Sequence, residues 1–512
     1  MKRLILAAAF AMGLVAAVEA QEQTVSQADL QAIIQRLNKL EAENKAQAAR
    51  IAELEGKKQV AAAPAAAKSE AKADEGTEIS KSGKVYTTES GRKYYLADAT
   101  AGIFEPLSES GLQLTPYGYL VFEGVYADHG LDLDWTTDFV QPKGSRQYRN
   151  HNSTLSMQDS ILGVQFATPE AFKGWKFSGK AEFDLAGDTA DDYAFHWRHL
   201  YVDATHAAYD ADGKENGYWS ILFGQTWHLW KMVAPSEIDG AWMENAGHPY
   251  RRSPQVRVTR KWDWEDSSLE ARIGFVKNGP NASTDRDGDD MLDSSASAWG
   301  WIEAALVYDH QAAWEEKDHR WLIGLGGMYG RDASRRCNGL DGDGNMVWDG
   351  RSDDYNSQML ILAGSIPFSI EKVGEFTLCG QAYVGENLGR VQAGCGQSVS
   401  FYNNEFNRRG EEVATVGGFV DLGYKLNDTW SFALGYGFDN PEVEEHTQVA
   451  SNNGSGLNGD FYQFNDRLYL DAFYNISANF RLGLEYARLS TKYAQTGDAI
   501  ANRVQFTAFY DF

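Results

Sequence analysis

Beyond about residue 112 the chain alternates apolar and polar residues with a period of two. Over 175–185, Trp175, Phe177, Gly179, Ala181, Phe183 and Leu185 take one set of positions, and Lys176, Ser178, Lys180, Glu182 and Asp184 the other. A helix would scatter both sets, whereas a strand sends them to opposite faces. The split recurs where Leu269, Ala271, Ile273 and Phe275 oppose Glu270 and Arg272. It recurs again where Phe480, Leu482, Leu484 and Tyr486 oppose Arg481 and Glu485. At the end of the chain Val504, Phe506, Ala508, Tyr510 and Phe512 alternate with Gln505, Thr507 and Asp511.

Sixteen such segments are predicted, starting near residues 115, 153, 173, 194, 217, 254, 267, 296, 319, 355, 374, 412, 428, 462, 478 and 500. Their connections alternate in length. Short ones span 168–173, 263–268, 425–428 and 475–479; long ones span 127–152, 227–253, 278–295, 331–353, 387–409 and 439–459. Short turns at one rim, long loops at the other and an even strand count predict an all-β fold. It is a transmembrane antiparallel β-barrel of about 16 strands over 112–512, with both ends on the periplasmic rim. A soluble sandwich has no reason for that asymmetry.

The first hundred residues follow other rules. Lys2 and Arg3 precede the apolar run 4–18, and Val18, Glu19 and Ala20 form a small-residue cleavage site, so 1–20 is expected to be a secretory signal peptide. Residues 25–55 fit a heptad with Leu30, Leu37, Asn44 and Ile51 at one core position and Ile33, Leu40, Gln47 and Leu54 at the other. This predicts a coiled-coil helix with a polar Asn44/Gln47 layer that fixes register; an amphipathic helix lying on the barrel is the competing reading. Residues 56–84 show no apolar period and are expected to form a flexible linker in the periplasm.

Composition agrees with a barrel: 50 Gly, 25 Tyr, 25 Phe and 15 Trp against 11 Pro. No stretch beyond the leader is apolar enough for a spanning helix, which leaves strands to cross a membrane. The net charge of −25 argues against nucleic acid as a partner. Cys337, Cys379 and Cys395 are too few for a disulfide framework, although a Cys337–Cys395 bridge between loops is conceivable.

If one face meets lipid, the other lines a pore, and its charges set selectivity. The candidates are Lys176, Lys180, Glu182, Arg257, Lys261, Arg272, Arg467 and Arg481 on strands. Most are expected to pair across neighbouring strands and shape the wall. The connection 227–253 is aromatic where an exposed loop should be polar. It is therefore expected to fold into the barrel as a constriction, with Lys231, Arg251 and Arg252 beside Trp227, Trp230 and Trp242. Two readings stand for Arg251, Arg252 and Arg257: attraction of a carboxylate or phosphate, or neutralisation of Glu237, Asp239 and Glu244 on the same loop. Near Arg198 the alternation is ambiguous, because Leu200 and Val202 leave Arg198 on the apolar side. Asp341, Asp343 and Asn345, like Asp285, Asp287 and Asp289, space like calcium loops, but the turn glycine is absent, so neither is expected to be a metal site. Neither a catalytic motif nor a cofactor signature occurs.

The strings Trp175 to Glu182, Trp197 to Val202, Leu222 to Trp227 and Pro254 to Thr259 resemble the DcaP-like outer-membrane porins, as does the order of leader, short coiled coil, linker and barrel. The resemblance implies a homotrimer embedded in outer-membrane lipid that passes small hydrophilic solutes, often anions such as dicarboxylates, by passive diffusion. The long acidic loops depart from that family. An outer-membrane barrel enzyme and a surface adhesion protein are the alternatives from other classes.

Overall fold

The computed structural model describes residues 84–87, 93–96, 112–133, 136–168, 173–186, 193–277, 300–311, 320–340, 346–402, 411–443, 447–451 and 461–512. The predicted signal peptide, the coiled coil, nearly all of the linker and both calcium-like runs lie outside these residues.

Sixteen strands among the described residues close into one barrel whose neighbours all run antiparallel. They are β1 (Gln113–Ala127), β2 (Asn152–Ser156 and Ile161–Ala167), β3 (Trp175–Ala186), β4 (Tyr193–Tyr209), β5 (Glu215–Trp227) and β6 (Arg252–Asp263). Then come β7 (Ser267–Val276), β8 (Trp301–Gln311), β9 (Arg320–Leu340), β10 (Met346–Ile370) and β11 (Gly374–Glu386). The last five are β12 (Ala414–Lys425), β13 (Trp430–Pro441), β14 (Tyr462–Asn475), β15 (Phe480–Tyr493) and β16 (Gly497–Asp511). Both pieces of β2 pair with β1, so they form one interrupted strand. Pairing of β16 with β1, from Arg503 opposite Ala127 to Asp511 opposite Tyr119, closes the ring.

The observed starts fall within five residues of the predicted ones, the tenth excepted. There the expected loop 331–353 is absent, because β9 and β10 remain paired out to Leu340 opposite Met346. Such a ribbon needs only backbone hydrogen bonds, so its polar sequence carries no period-two signal. Cys337 thus lies in a strand, and Cys395 is a free thiol, so the conceivable bridge between them does not form. Two short pieces, Lys84–Thr87 and Lys93–Leu96, pair as a hairpin that the sequence pattern left unassigned.

Burial is inverted relative to a soluble protein. The outward Leu155 and Ile273 are 67% and 57% exposed, while the inward Glu485 and Arg503 are fully buried. The apolar positions read from the sequence are the outer face, as lipid contact requires. Aromatic residues ring the short-turn end: Phe376 stacks between Phe368 and Tyr424, and Trp430 lies 4.8 Å from Tyr474.

Candidate functional site

The segment 228–251 between β5 and β6 turns into the barrel and runs along the inner wall. Glu303 on β8 accepts from the Leu229 N–H at 2.9 Å and pairs with His228. Trp230 and Met232 then press on Gly326 and Gly324 of β9. Farther on, Ser236 donates to Asp421 on β12 at 2.9 Å, and Ile238 packs on Gly483 of β15. On the return, Met243 and Ala246 cover Gly437 of β13, and Gly247 meets Gly418 of β12.

These wall glycines are where the loop fits. A Cβ at Gly326 would sit 2.9 Å from Trp230 Cβ, and one at Gly437 would sit 2.2 Å from the Ala246 carbonyl. Gly247 itself adopts φ +108, a region that disfavours side chains. Replacing Gly326 with leucine is expected to push Trp230 off the wall; near-ultraviolet circular dichroism should report the loss of its fixed environment, with the strand signal retained.

The loop's far end is fixed by charge. Arg467 on β14 donates to Glu237 at 2.7 Å and to Asp239 at 3.1 Å; Arg503 on β16 donates to Asp239 at 2.6 Å and to Glu485 at 3.1 Å. The Ile238 N–H donates to Asp471 and Glu485, each at 3.1 Å, and Arg467 also reaches the Thr137 carbonyl. All six charged groups are essentially inaccessible to water. Arg467, a pore candidate from sequence, is therefore an anchor of the loop rather than a channel-facing cation.

With the loop packed along β8 to β16, part of the inward face of β3 to β7 stays open: Lys180, Tyr201, Arg257, Glu270 and Arg272 are half-buried, while Glu182, Asp184 and His199 are buried. Lys180 pairs with Glu182 at 2.6 Å, and Arg272 pairs with Glu270 and donates to the Leu229 carbonyl at 3.3 Å. Lys176 is exposed near the short-turn rim, where Lys261 pairs with Asp263 at 3.1 Å. Arg481 lies at that rim too, 4.5 Å from the Phe509 ring. Arg251, at the loop's end, interacts with Glu244, whereas Lys231 and Arg252 lie over the Trp227 ring at 4.5 and 4.4 Å.

Lys231, Arg252 and Arg257 form no ion pair among the described residues, and Arg252 Nη1 and Arg257 Nε lack any hydrogen-bond partner. Burial, with Arg252 and Arg198 nearby, lowers the Lys231 ammonium to about 8. The two readings of the arginines thus divide: Arg251 serves Glu244, Arg252 and Arg257 do not neutralise loop acids, and Glu237 and Asp239 are taken by Arg467 and Arg503.

Arg198 belongs to the same wall. Its register shifts between Glu182 opposite His199 and Phe183 opposite Trp197, leaving Arg198 as the extra residue of a β-bulge. Arg198 and His199 both point inward, and Arg198 donates to Glu182 at 2.9 Å and to Asp184 at 2.8 Å. The signal was present in the sequence: Trp197 and Leu200, both outward, are three residues apart, so the alternation changes phase between them. Arg503 was missed because Arg503 alternates with apolar outward residues like any other wall position, and only the fold brings Asp239 to it.

No protein-family model matches the chain, and no curated protein does. Solved structures do match. The outer membrane channel DcaP of Acinetobacter baumannii superposes with a TM-score of 0.57 at 21% identity, covering 79% of this chain and 98% of that one. The anion-selective porin from Comamonas acidovorans matches at 12% identity and a TM-score of 0.45, covering 78% of this chain and 100% of its own. Closed sixteen-stranded ring, inward loop 228–251 and apolar outer band together give this chain the outer-membrane β-barrel fold of the DcaP channel.

Proposed function

We propose that the protein is an outer-membrane porin, a homotrimer whose water-filled channels pass small hydrophilic solutes down their gradients and favour anions. The observation that carries this reading is the division of the lumen. The loop 228–251 is held on one side by its own acids, while on the other Lys231, Arg252 and Arg257 form no ion pair among the described residues. An anion passing them gains charge-assisted contacts that a cation lacks. Dicarboxylates suit a wall that offers several cations along one path, since two carboxylates can be held in turn.

Purified protein in a planar bilayer tests the proposal. Steady open-channel current with an anion-favouring reversal potential is expected, and added dicarboxylate should reduce it. Absence of current would favour the barrel enzyme or the adhesion protein instead. Oligomeric state follows from gel migration: a trimer band surviving mild detergent and converting to monomer on heating is expected.

The selectivity should depend on pH. Lys231 is charged below about 8 and neutral above it, so the anion-to-cation permeability ratio should fall as pH rises from about 7 to about 9. Lys231→Met should remove that step while leaving the ratio flat at its alkaline value.

A further inference from the structure

Two like charges share one aromatic ring where the inward loop leaves the wall and returns to it. Trp227 closes β5, Arg252 opens β6, and the two are register partners. The Arg252 guanidinium lies 4.4 Å from the Trp227 ring centre and the Lys231 ammonium 4.5 Å. Lys231 is also 5.3 Å from the Trp242 ring centre. No carboxylate holds the two cations there. Lys231 faces Arg252, Arg198 on β4, Cys379 on β11 and His248 of its own loop. Glu182 and Asp184 on β3 lie within electrostatic reach of Arg252, but Arg198 donates to both.

The rings themselves are fixed. Trp227 meets the His199 and Tyr250 rings at near right angles, with centres 5.4 and 5.7 Å away, and Trp242 lies 6.2 Å off. Trp242 is placed against a conformational cost. Its φ is +46 and that of Met243 is +58, a region that bulky side chains avoid. The turn survives because the Trp242 N–H donates to the Asp239 carbonyl at 3.1 Å and the Met243 N–H to Glu237 at 2.7 Å. Glu237 and Asp239 are the residues that Arg467 and Arg503 hold on the far wall. The buried ion cluster therefore also sets the ring that Lys231 touches.

We propose that Trp227 and Trp242 are positioning residues for ion selection, whose ring faces hold Lys231 and Arg252 in the lumen with their charge unspent. The oxyanion of a passing solute is then the counter-ion that these cations meet. This inference rests on the reading of the protein as an anion-favouring channel. The physical reason is the nature of the contact. An indole face attracts a cation through its quadrupole and carries no net charge, so it fixes the cation without cancelling it. A carboxylate in the same place would fix the cation and neutralise it. An aliphatic side chain would do neither, leaving Arg252 free to swing toward Glu182 and Asp184 and compete with Arg198 for them.

Reversal potentials of the full-length protein in a potassium chloride gradient separate the ring's face from its bulk. Trp227→Leu should lower the anion-to-cation permeability ratio at least about fourfold, the effect of one unit charge lost. Trp227→Phe keeps an aromatic face and should restore most of that loss, and both variants should keep heat-modifiable migration. Equal ratios in the parent and Trp227→Leu would overturn the proposal, as would equal loss in Trp227→Leu and Trp227→Phe. If Trp227→Leu fails to fold, a ring-fluorinated tryptophan at 227, nearly equal in shape and weaker in cation affinity, must lower the ratio for the proposal to stand. A second readout needs no current. Discharge of the ammonium beside the rings should step the tryptophan fluorescence of the parent between pH about 7 and about 9. That step should vanish in Lys231→Met and shrink in Trp227→Leu; the same step in all three proteins would overturn the proposal. A parent that passes no current, or prefers cations, refutes the channel reading instead, and the fluorescence step then still decides whether the rings hold the ammonium.

Discussion

Replacing Arg467 with alanine is expected to free the loop 228–251 from the far wall while leaving the barrel closed. Removing one partner of a buried ion pair costs about 3–5 kcal/mol, because the other charge is left buried and uncompensated. Here Glu237 loses its guanidinium and Asp239 keeps only Arg503. The strands do not depend on that contact, since each is paired on both sides through its backbone. Single-channel recording should show larger conductance with new noise, and protease should cut the loop in a barrel that still migrates as folded. Conductance and noise identical to the parent would refute the anchor. Replacing Arg467 and Glu237 together by leucines should restore a quiet channel, because removing both members of such a pair is often nearly neutral.

Much of this arrangement was legible in the sequence, and the reason is geometric. Lipid on one side and water on the other impose a period of two on every spanning strand, so β3, β7 and β15 announced both their existence and their inward residues. The aromatic loop was legible for a related reason: Trp230, Met232 and Met243 are wrong for a water-exposed segment and right for one packed on glycine. What stayed hidden were relations across the lumen. Sequence spacing holds nothing that pairs Asp239 with Arg503, which are brought together only by ring closure between β16 and β1. For the same reason Arg467 read as a pore cation, its lumen-facing position being plain and its loop partners not. The ribbon of β9 and β10 was hidden differently, as pairing without a lipid face leaves no alternation to read.

Exchanging Arg252 and Arg257 for glutamate should reverse the charge preference of the channel. One unit charge about 5 Å from a passing ion contributes roughly 0.8 kcal/mol in water-like surroundings, and more where protein excludes water. That is about a fourfold change in relative permeability for each charge removed, and twice that energy for each charge inverted. Two inversions therefore predict a change of at least about a hundredfold in the anion-to-cation ratio, enough to carry a moderately anion-favouring channel to cation preference. The substitution is less drastic for the fold than for the ions. Neither arginine holds an ion pair among the described residues, so no buried carboxylate is stranded. Arg198 is the instructive contrast: it serves Glu182 and Asp184, and Arg198→Glu would put three carboxylates together and damage the bulge itself. Reversal potentials in a salt gradient separate the cases. Arg252→Glu with Arg257→Glu should invert the sign at unchanged trimer stability. An unchanged sign would mean that the narrowest part of the channel lies elsewhere and that the unpaired cations of β6 do not meet the permeating ion. Raising the salt concentration should shrink the difference between variant and parent, because mobile ions screen charges facing water and screen buried ones less.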